Sequence, residues 1–413
     1  MESIVCERIA GIDVHKKMLA VVVADAANPE AVLSARAWGT CRAELEALGD
    51  WLTEQSVKQV VMESTAQYWR PVWMALEGRY QLHLAQAQSN RGPRGRKSDF
   101  ADAARLVRRL VAGELILSFV PDAEQRQWRM ITRMMLQIRQ QIVRLRNQME
   151  GLLEQGQIKL SGVVSDLLGV SARQMLAALA DGEADPARLA AFGTGKLRAS
   201  QADLEAALAG RLTPVQQRML RMQLDEVALL EKHLRQLEGE LRQLLQPYQE
   251  VIERLSEVPG FQAKAAQEII TIVGPEATTF TSGPQLVSWA GACPGREESA
   301  GISKSSHCPK GNRSIRRLIN QCAWAAVRTK GSSFQALFRR LVPRLGQAKA
   351  IWAVARHLLL VIWKVLHQKV RYLERGPRAL NSQALRRRKQ FLVGQLKALG
   401  FQVTLNDQPK EAR

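Results

Sequence analysis

Two runs of apolar residues spaced alternately three and four apart govern what this chain can fold into. The first is Trp128, Ile131, Met135, Ile138, Ile142, Leu145, Met149 and Leu152; the second is Val227, Leu230, Leu234, Leu237, Leu241 and Leu244. Such spacing keeps one helix face apolar over many turns, so each run predicts a long helix and the pair predicts a coiled coil, folded back as a hairpin or shared between subunits. Between them, Lys159 to Arg218 reads as helical with breaks at Gly169, Gly182, Asp185-Pro186 and Gly193, an inserted subdomain over about 155–225.

Residues 8 to about 120 follow a different rhythm. Leu19 to Ala24 follows Asp13 after the short turn His15-Lys16-Lys17, which predicts a hairpin with His15 as a turn residue rather than a ligand. Ala43 to Gln55 reads as a helix, and Val60 to Glu63 and Gln81 to Ala87 as further strands. A hairpin, a helix and more strands with acids at their tips is the order of an RNase H-like α/β layer.

Four acids carry the chemistry in this region. Asp13 and Glu63 each end a strand-like run, where an open sheet offers side chains to a cleft. In Lys97-Ser98-Asp99-Phe100-Ala101-Asp102, Ser98 can cap a helix, and the spacing turns Asp99 and Asp102 onto one face. Carboxylates crowded together repel unless a cation sits among them, and hard divalent ions take oxygen ligands. The pattern predicts a one- or two-metal site for cutting phosphodiesters. Arg91, Arg94, Arg96, Lys97, Arg105, Arg108 and Arg109 form a cationic frame around the last pair, suited to phosphate.

At 413 residues the chain exceeds what one core usually serves. Its net charge of +20 is uneven: 24 of the 59 Lys and Arg but only 3 of the 39 acids lie from Gly301 onward, which leaves 35 bases against 36 acids before it. The cationic surplus therefore belongs to the C-terminal region, the expected grip on a polyanion. Between Asn312 and Arg371 the charges interleave with core-like Trp324, Phe338, Trp352 and Trp363.

No apolar signal core opens the chain, and the longest apolar stretch, Ala350 to Leu366, holds Arg356, His357 and Lys364; a buried or nucleic-acid-facing helix is expected rather than a membrane span. Five cysteines lack the close pairing of a zinc ribbon and point to a reducing cytoplasm; His307-Cys308 has no second ligand pair nearby.

Val258-Pro259-Gly260-Phe261 reads as a tight turn between helices, as in helix-hairpin-helix modules that offer backbone N–H groups to phosphate. A Gly- and Ser-rich segment, Pro294 to Ser306, then runs into the basic helix Lys310 to Arg317. Ordinarily such a loop only connects, but its place before the most cationic helix suits it to carry a nucleophile. The residues expected to meet nucleic acid are Arg94, Arg96, Lys97, Lys304, Lys310, Asn312, Arg313, Arg316 and Arg317.

Taken together, these motifs resemble the DEDD-type transposases of the insertion-sequence family numbered one hundred and ten. Gly11-Ile12-Asp13-Val14-His15-Lys16, Met62-Glu63-Ser64-Thr65 with Tyr68-Trp69, and Lys97 to Ala103 are similar to its RuvC-like domain. Pro259-Gly260, Trp289-Ala290-Gly291, Glu298-Ser299-Ala300-Gly301 and Lys310-Gly311-Asn312-Arg313 are similar to its C-terminal transposase domain.

The resemblance implies an α/β plus all-α chain: a RuvC-like metal-binding catalytic domain over 1–120, a coiled coil with its insertion over 121–250, a transposase domain over 251–375 and a basic tail over 376–413. It implies a prokaryotic, nucleoid-associated recombinase that excises and inserts its own mobile element, guided by a structured noncoding bridge RNA. A dimer or tetramer joined through the coiled coil is implied as well, with a composite site built from two subunits. Asp13, Glu63, Asp99 and Asp102 would hold Mg2+, with Mn2+ able to substitute, and Ser299 would be the nucleophile. From the residues themselves, Ser303, Ser305 and Ser306 stand beside Ser299 as equivalent hydroxyls.

Three rivals compete with this reading. A resolvase-like nuclease would use the same acids with water as the nucleophile. An actin-like ATP-binding protein also opens with Gly-Ile-Asp, but no later Gly-rich nucleotide motif follows and the C-terminal charge goes unexplained. For a non-catalytic nucleic-acid binder, the four acids would be incidental.

Overall fold

The computed structural model describes residues 7–64, 66–87, 89–90, 98–193, 197–293, 297–299, 302–305, 308, 310–374, 376 and 382–404, the side chains of 297–299, 302–305 and 382–388 excepted. The chain divides into two compact units, Met1–Asp122 and Ala123–Arg413. The first is α/β and the second is almost wholly helical.

In the first unit a six-stranded sheet runs in the order β3-β2-β1-β4-β5-β6. Its strands are β1 (Arg8–Val14), β2 (Met18–Asp25), β3 (Asn28–Gly39), β4 (Val57–Glu63), β5 (Gln81–Ala85) and β6 (Leu117–Ser118). The expected hairpin is β1 with β2, paired antiparallel from Arg8 opposite Asp25 to Val14 opposite Leu19. β4 lies parallel to β1 and β5 parallel to β4, while β3 and β6 run antiparallel to their neighbours. β1 and β2 are apolar on both faces because both faces are covered.

Strand periodicity decides which residue meets which cover. Ala10, Ile12 and Val14 of β1, with Val60 and Met62 of β4, share a core with Leu45, Leu48 and Leu52 of α1 (Arg42–Glu54) and Val72, Trp73 and Leu76 of α2 (Trp69–Leu76). The opposite parity, Ile9 of β1 and Val61 of β4, packs with Leu106 and Val107 of α3 (Asp99–Val111). Gly11, Asp13 and Glu63 share that second parity and so belong to the α3 face.

Gly11 sets how closely α3 approaches. A Cβ placed there would overlap the carbonyl oxygen of Ala103 and come within 2.9 Å of Val107 Cγ2, so the helix backbone lies directly on the strand. We expect Gly11→Val to push α3 off β1, costing about 1–3 kcal/mol as an overpacked core does and reducing cleavage more steeply than stability. Thermal melts beside cleavage rates test this; unchanged cleavage would show that the close approach does not position α3.

In the second unit α4 (Ala123–Gln155) and α9 (Pro214–Leu244) pair antiparallel. Early α4 residues Trp128, Ile131 and Met135 share a core with Leu241 of late α9, whereas Leu145, Met149 and Leu152 meet Leu220, Leu224 and Val227. The two heptad runs thus face each other within one chain. α9 begins earlier than its apolar run, at a capping box in which Thr213 and Gln216 exchange side-chain-to-backbone hydrogen bonds.

Between the long helices, α5 (Leu160–Val163), α6 (Val170–Ala180), α7 (Pro186–Ala190) and α8 (Gln201–Ala207) close a small core around Met149 and Leu176. The larger core gathers α10 (Gln249–Ser256), α11 (Ala263–Val273), α12 (Gly283–Trp289), α13 (Arg313–Arg328) and α14 (Ser333–His367). Pro259-Gly260 makes the expected turn between α10 and α11. α14 is the one helix among the described residues long and apolar enough to cross a membrane; Ile351, Val354, Leu358 and Ile362 on it are core residues. In the basic C-terminal segment, Ser382–Ala398 forms α15. Among the described residues Cys41, Cys293, Cys308 and Cys322 are free thiols, and His307 lies outside them.

Candidate functional site

Asp13 sits next to last on β1 and Glu63 last on β4. These strands are parallel and in register, Ile12 opposite Met62, so both carboxylates emerge side by side at the carboxyl edge of the sheet. Asp99 and Asp102 occupy the first turn of α3, the helix that lies on that same face. Ser98 takes the N-cap position but makes no side-chain capping bond; its carbonyl instead accepts from the Asp102 N–H at 2.9 Å.

Asp13 feels the other three acids. Burial raises its carboxyl above the ordinary aspartate value; His15 opposes the rise, and the charges of Asp102, Asp99 and Glu63 add to it. Asp13 and Asp99 thus come within ligand distance of each other, while Asp102 and Glu63 stand near enough for their charges to reach Asp13.

His15 holds a position the sequence did not suggest. Its N–H closes the β1–β2 turn onto the Met18 carbonyl at 3.0 Å, as a turn residue should. Its ring, however, lies between two of the acids, Nε2 being 3.1 Å from Asp13 Oδ2 and 3.4 Å from Asp99 Oδ1. The expectation that His15 is only a turn residue is corrected on that point.

Two residues outside the four acids orient the cluster. Asn90, 4% exposed, donates from Nδ2 to Glu63 Oε2 at 2.9 Å, and its Oδ1 is buried without a partner. Arg105 forms an ion pair with Asp102 at 2.6 Å and donates to the Asn90 carbonyl at 3.5 Å. Asn90 follows a strand in Gln88-Ser89-Asn90 and carried no motif; only its burial exposes its role.

The expected cationic frame is partly engaged within the fold. Arg105 serves Asp102, Arg108 pairs with Glu30 at 2.8 Å, and Arg109 donates to the Ser89 carbonyl at 2.6 Å. Arg91, Arg94, Arg96 and Lys97 lie outside the described residues.

Ser299 belongs to the second unit. The Gly- and Ser-rich segment is more than a connection: β7 (Glu297–Ser299) and β8 (Ile302–Ser305) pair antiparallel, with Ser299 opposite Ile302. Ser303 and Lys304 lie within β8, Ser305 ends it, and Ser306 falls outside the described residues. The flanking motifs are clamped backbone to backbone. A Cβ at Gly311 would overlap the main chain of Ala290 and Gly291, and the Asn312 N–H donates to the Trp289 carbonyl at 3.2 Å.

The basic helix begins later than expected, at Arg313. Asn312 is its N-cap, Oδ1 accepting from the N–H groups of Ser314 at 3.0 Å and Ile315 at 3.2 Å. Arg316 donates to the Gly291 carbonyl and lies 4.2 Å from the centre of the Trp352 ring. Arg317 pairs with Glu268. Lys310 and Arg313 are exposed.

Chemically, the carboxylates of Asp13 and Asp99 with the His15 imidazole, their ligand atoms all within 4.8 Å of one another, make a donor set for a divalent cation. Adjacent ligands of an octahedral ion bound at about 2.1 Å stand about 3.0 Å apart. The separations around His15 Nε2 fit that spacing.

Comparison with known proteins gives this geometry its context. Residues 10–157 match the family of DEDD-type IS110 transposases, described as Transposase. Residues 252–339 match the Transposase IS116/IS110/IS902 family. A stretch of 144 residues is 26% identical to an insertion element IS110 protein of 43.6 kDa from Streptomyces coelicolor. That alignment covers 35% of this chain and 35% of its relative. With one match over the acid cluster and another spanning the segment that bears Ser299, the chain belongs to the IS110 family of transposases.

Proposed function

We propose that the protein is a transposase that cuts and rejoins DNA, using Asp13, Glu63, Asp99 and Asp102 as a divalent-metal site and Ser299 as the nucleophile. The convergence of the four acids on the α3 face carries this reading. The strand order, an antiparallel hairpin continued by parallel β4 and β5, supports a RuvC-like identity for the first unit.

Magnesium or manganese bound there would supply positive charge to the scissile phosphate. The four carboxylates would hold the ion, Asn90 would keep Glu63 turned toward it, and Arg105 would keep Asp102 from swinging to solvent. Ser299 Oγ would attack phosphorus: a serine–phosphate bond forms, one ester bond of the strand breaks, the hydroxyl loses its proton and the departing strand oxygen gains one. Running the exchange backwards with a different strand end rejoins DNA without ATP.

Guidance by a structured noncoding RNA, assembly as a dimer or tetramer through the α4–α9 pair, and a cytoplasmic, nucleoid-associated location complete the proposal. The family resemblance motivates them. The Pro259-Gly260 turn ahead of α11 suits the helix-hairpin-helix reading, in which backbone N–H groups meet phosphate. Trapping a covalent protein–DNA adduct in the presence of metal tests the reading as a whole; cutting without an adduct would favour the water-using nuclease.

The C-terminal grip can be tested with two charge reversals. Arg313→Glu is expected to weaken nucleic-acid binding and to lower the salt slope by about 0.9 for each phosphate that Arg313 neutralises on B-form DNA. Arg316→Glu should also lower thermal stability, because its guanidinium is held by Gly291 and Trp352. Binding isotherms at several salt concentrations, read beside melting curves, separate the two; an unchanged slope for Arg313→Glu removes it from the binding surface.

A further inference from the structure

We propose that His15 is a metal ligand, so that the site in the first unit is a mixed nitrogen–oxygen centre that prefers Mn2+ to Mg2+; the inference rests on the metal site proposed above. Its grounds are geometric. His15 Nε2, Asp13 Oδ2 and Asp99 Oδ1 are donor atoms from a turn, a strand end and a helix start. Nε2 stands 3.1 and 3.4 Å from the two oxygens, and the three residues' ligand atoms all lie within 4.8 Å of one another.

As a purely hydrogen-bonded group, Nε2 carries at most one proton, yet it faces two carboxylates at once. A cation shared by all three satisfies the set more completely. The neutral imidazole then donates its lone pair, and the two carboxylates offset the ion's charge.

The position is also built for access. The backbone of His15 is tied by its hydrogen bond to Met18, which fixes the root of the side chain at the end of β1. The ring is 47% exposed and the Asp99 side chain 44%, whereas Asp13 is 14% exposed, so an ion entering from solvent would meet His15 and Asp99 before Asp13. Imidazole favours first-row transition ions, while Mg2+ keeps to oxygen and water. An all-carboxylate centre would lack that bias.

The test is pulsed electron paramagnetic resonance on the full chain loaded with Mn2+, with binding followed by titration. Wild type is expected to show the nitrogen coupling of a directly bound imidazole, and Mn2+ should outcompete Mg2+. His15→Gln should lose that coupling, still hold Mn2+ through its carboxylates, and bind it about tenfold more weakly. Carboxylate-bound Mn2+ without nitrogen coupling in wild type overturns the inference and leaves the metal site standing. A coupling that persists in His15→Gln assigns the nitrogen to another residue and also overturns it. Absence of saturable Mn2+ binding in wild type overturns the inference together with the underlying metal site.

Discussion

Alanine at Asp13, Glu63, Asp99 or Asp102 is expected to lower strand cleavage by at least about a thousandfold while nucleic-acid binding changes little. A bound divalent cation contributes several kcal/mol to a phosphoryl-transfer transition state, and each ~1.4 kcal/mol is a factor of ten. The cationic surplus lies in the C-terminal region, so the loss should appear in rate rather than affinity. The four replacements should not be equivalent in stability. Asp13 is squeezed by burial and by three like charges, so removing its carboxylate relieves repulsion in the metal-free protein. Asp102 is bonded to Arg105, and its loss strands a mostly buried guanidinium. Asp13→Ala is therefore expected to melt at or above the wild-type temperature, and Asp102→Ala below it. Wild-type cleavage rates in any of the four, or in a chelator, would remove the metal centre from the proposal.

The acids were legible in sequence because each sat in a local context that predicts its place: two at the ends of strand-like runs and two at a helix start. Their meeting depends on features that carry no local signal. Gly11 looks like any glycine in a strand until α3 is seen lying on it. The shared parity of Asp13 and Glu63 becomes informative only once α3, rather than α1 or α2, covers that face. Asn90 owes its position to a contact across the first unit, and the ring of His15 meets Asp99 from a distant helix as well as Asp13 two residues away.

Elements were missed for similar reasons. β3 is a sheet-edge strand whose mostly exposed residues show no clean alternation, and α2 is short with Pro71 in its first turn, where proline is tolerated. The long helices were the easiest to read because their apolar faces repeat, but the pattern alone left open which partner each would choose. Arg316 and Arg317 carry a second message that charge pattern alone does not: each guanidinium also has a partner within the fold.

Ser299→Ala is expected to abolish both cleavage and covalent attachment while leaving RNA and DNA binding at wild-type strength. Removing one hydroxyl should alter stability by no more than about 0.5 kcal/mol. The kinetic effect should instead be near total, because water delivered to the same phosphate leaves no bond in which to conserve the ester's energy for rejoining. The serines nearby make the experiment sharper. Ser303 and Ser305 lie on the partner of the hairpin strand that Ser299 ends. A suicide DNA substrate trapped with metal and guide RNA, followed by peptide mapping of the linked residue, reads the nucleophile directly. An adduct on Ser299 that disappears in Ser299→Ala supports the assignment. An adduct on Ser303, Ser305 or Ser306 moves the nucleophile along the hairpin and retains covalent recombination. Efficient cutting by Ser299→Ala with no adduct on any serine makes water the nucleophile, and the acid cluster would then belong to a nuclease that cuts without rejoining.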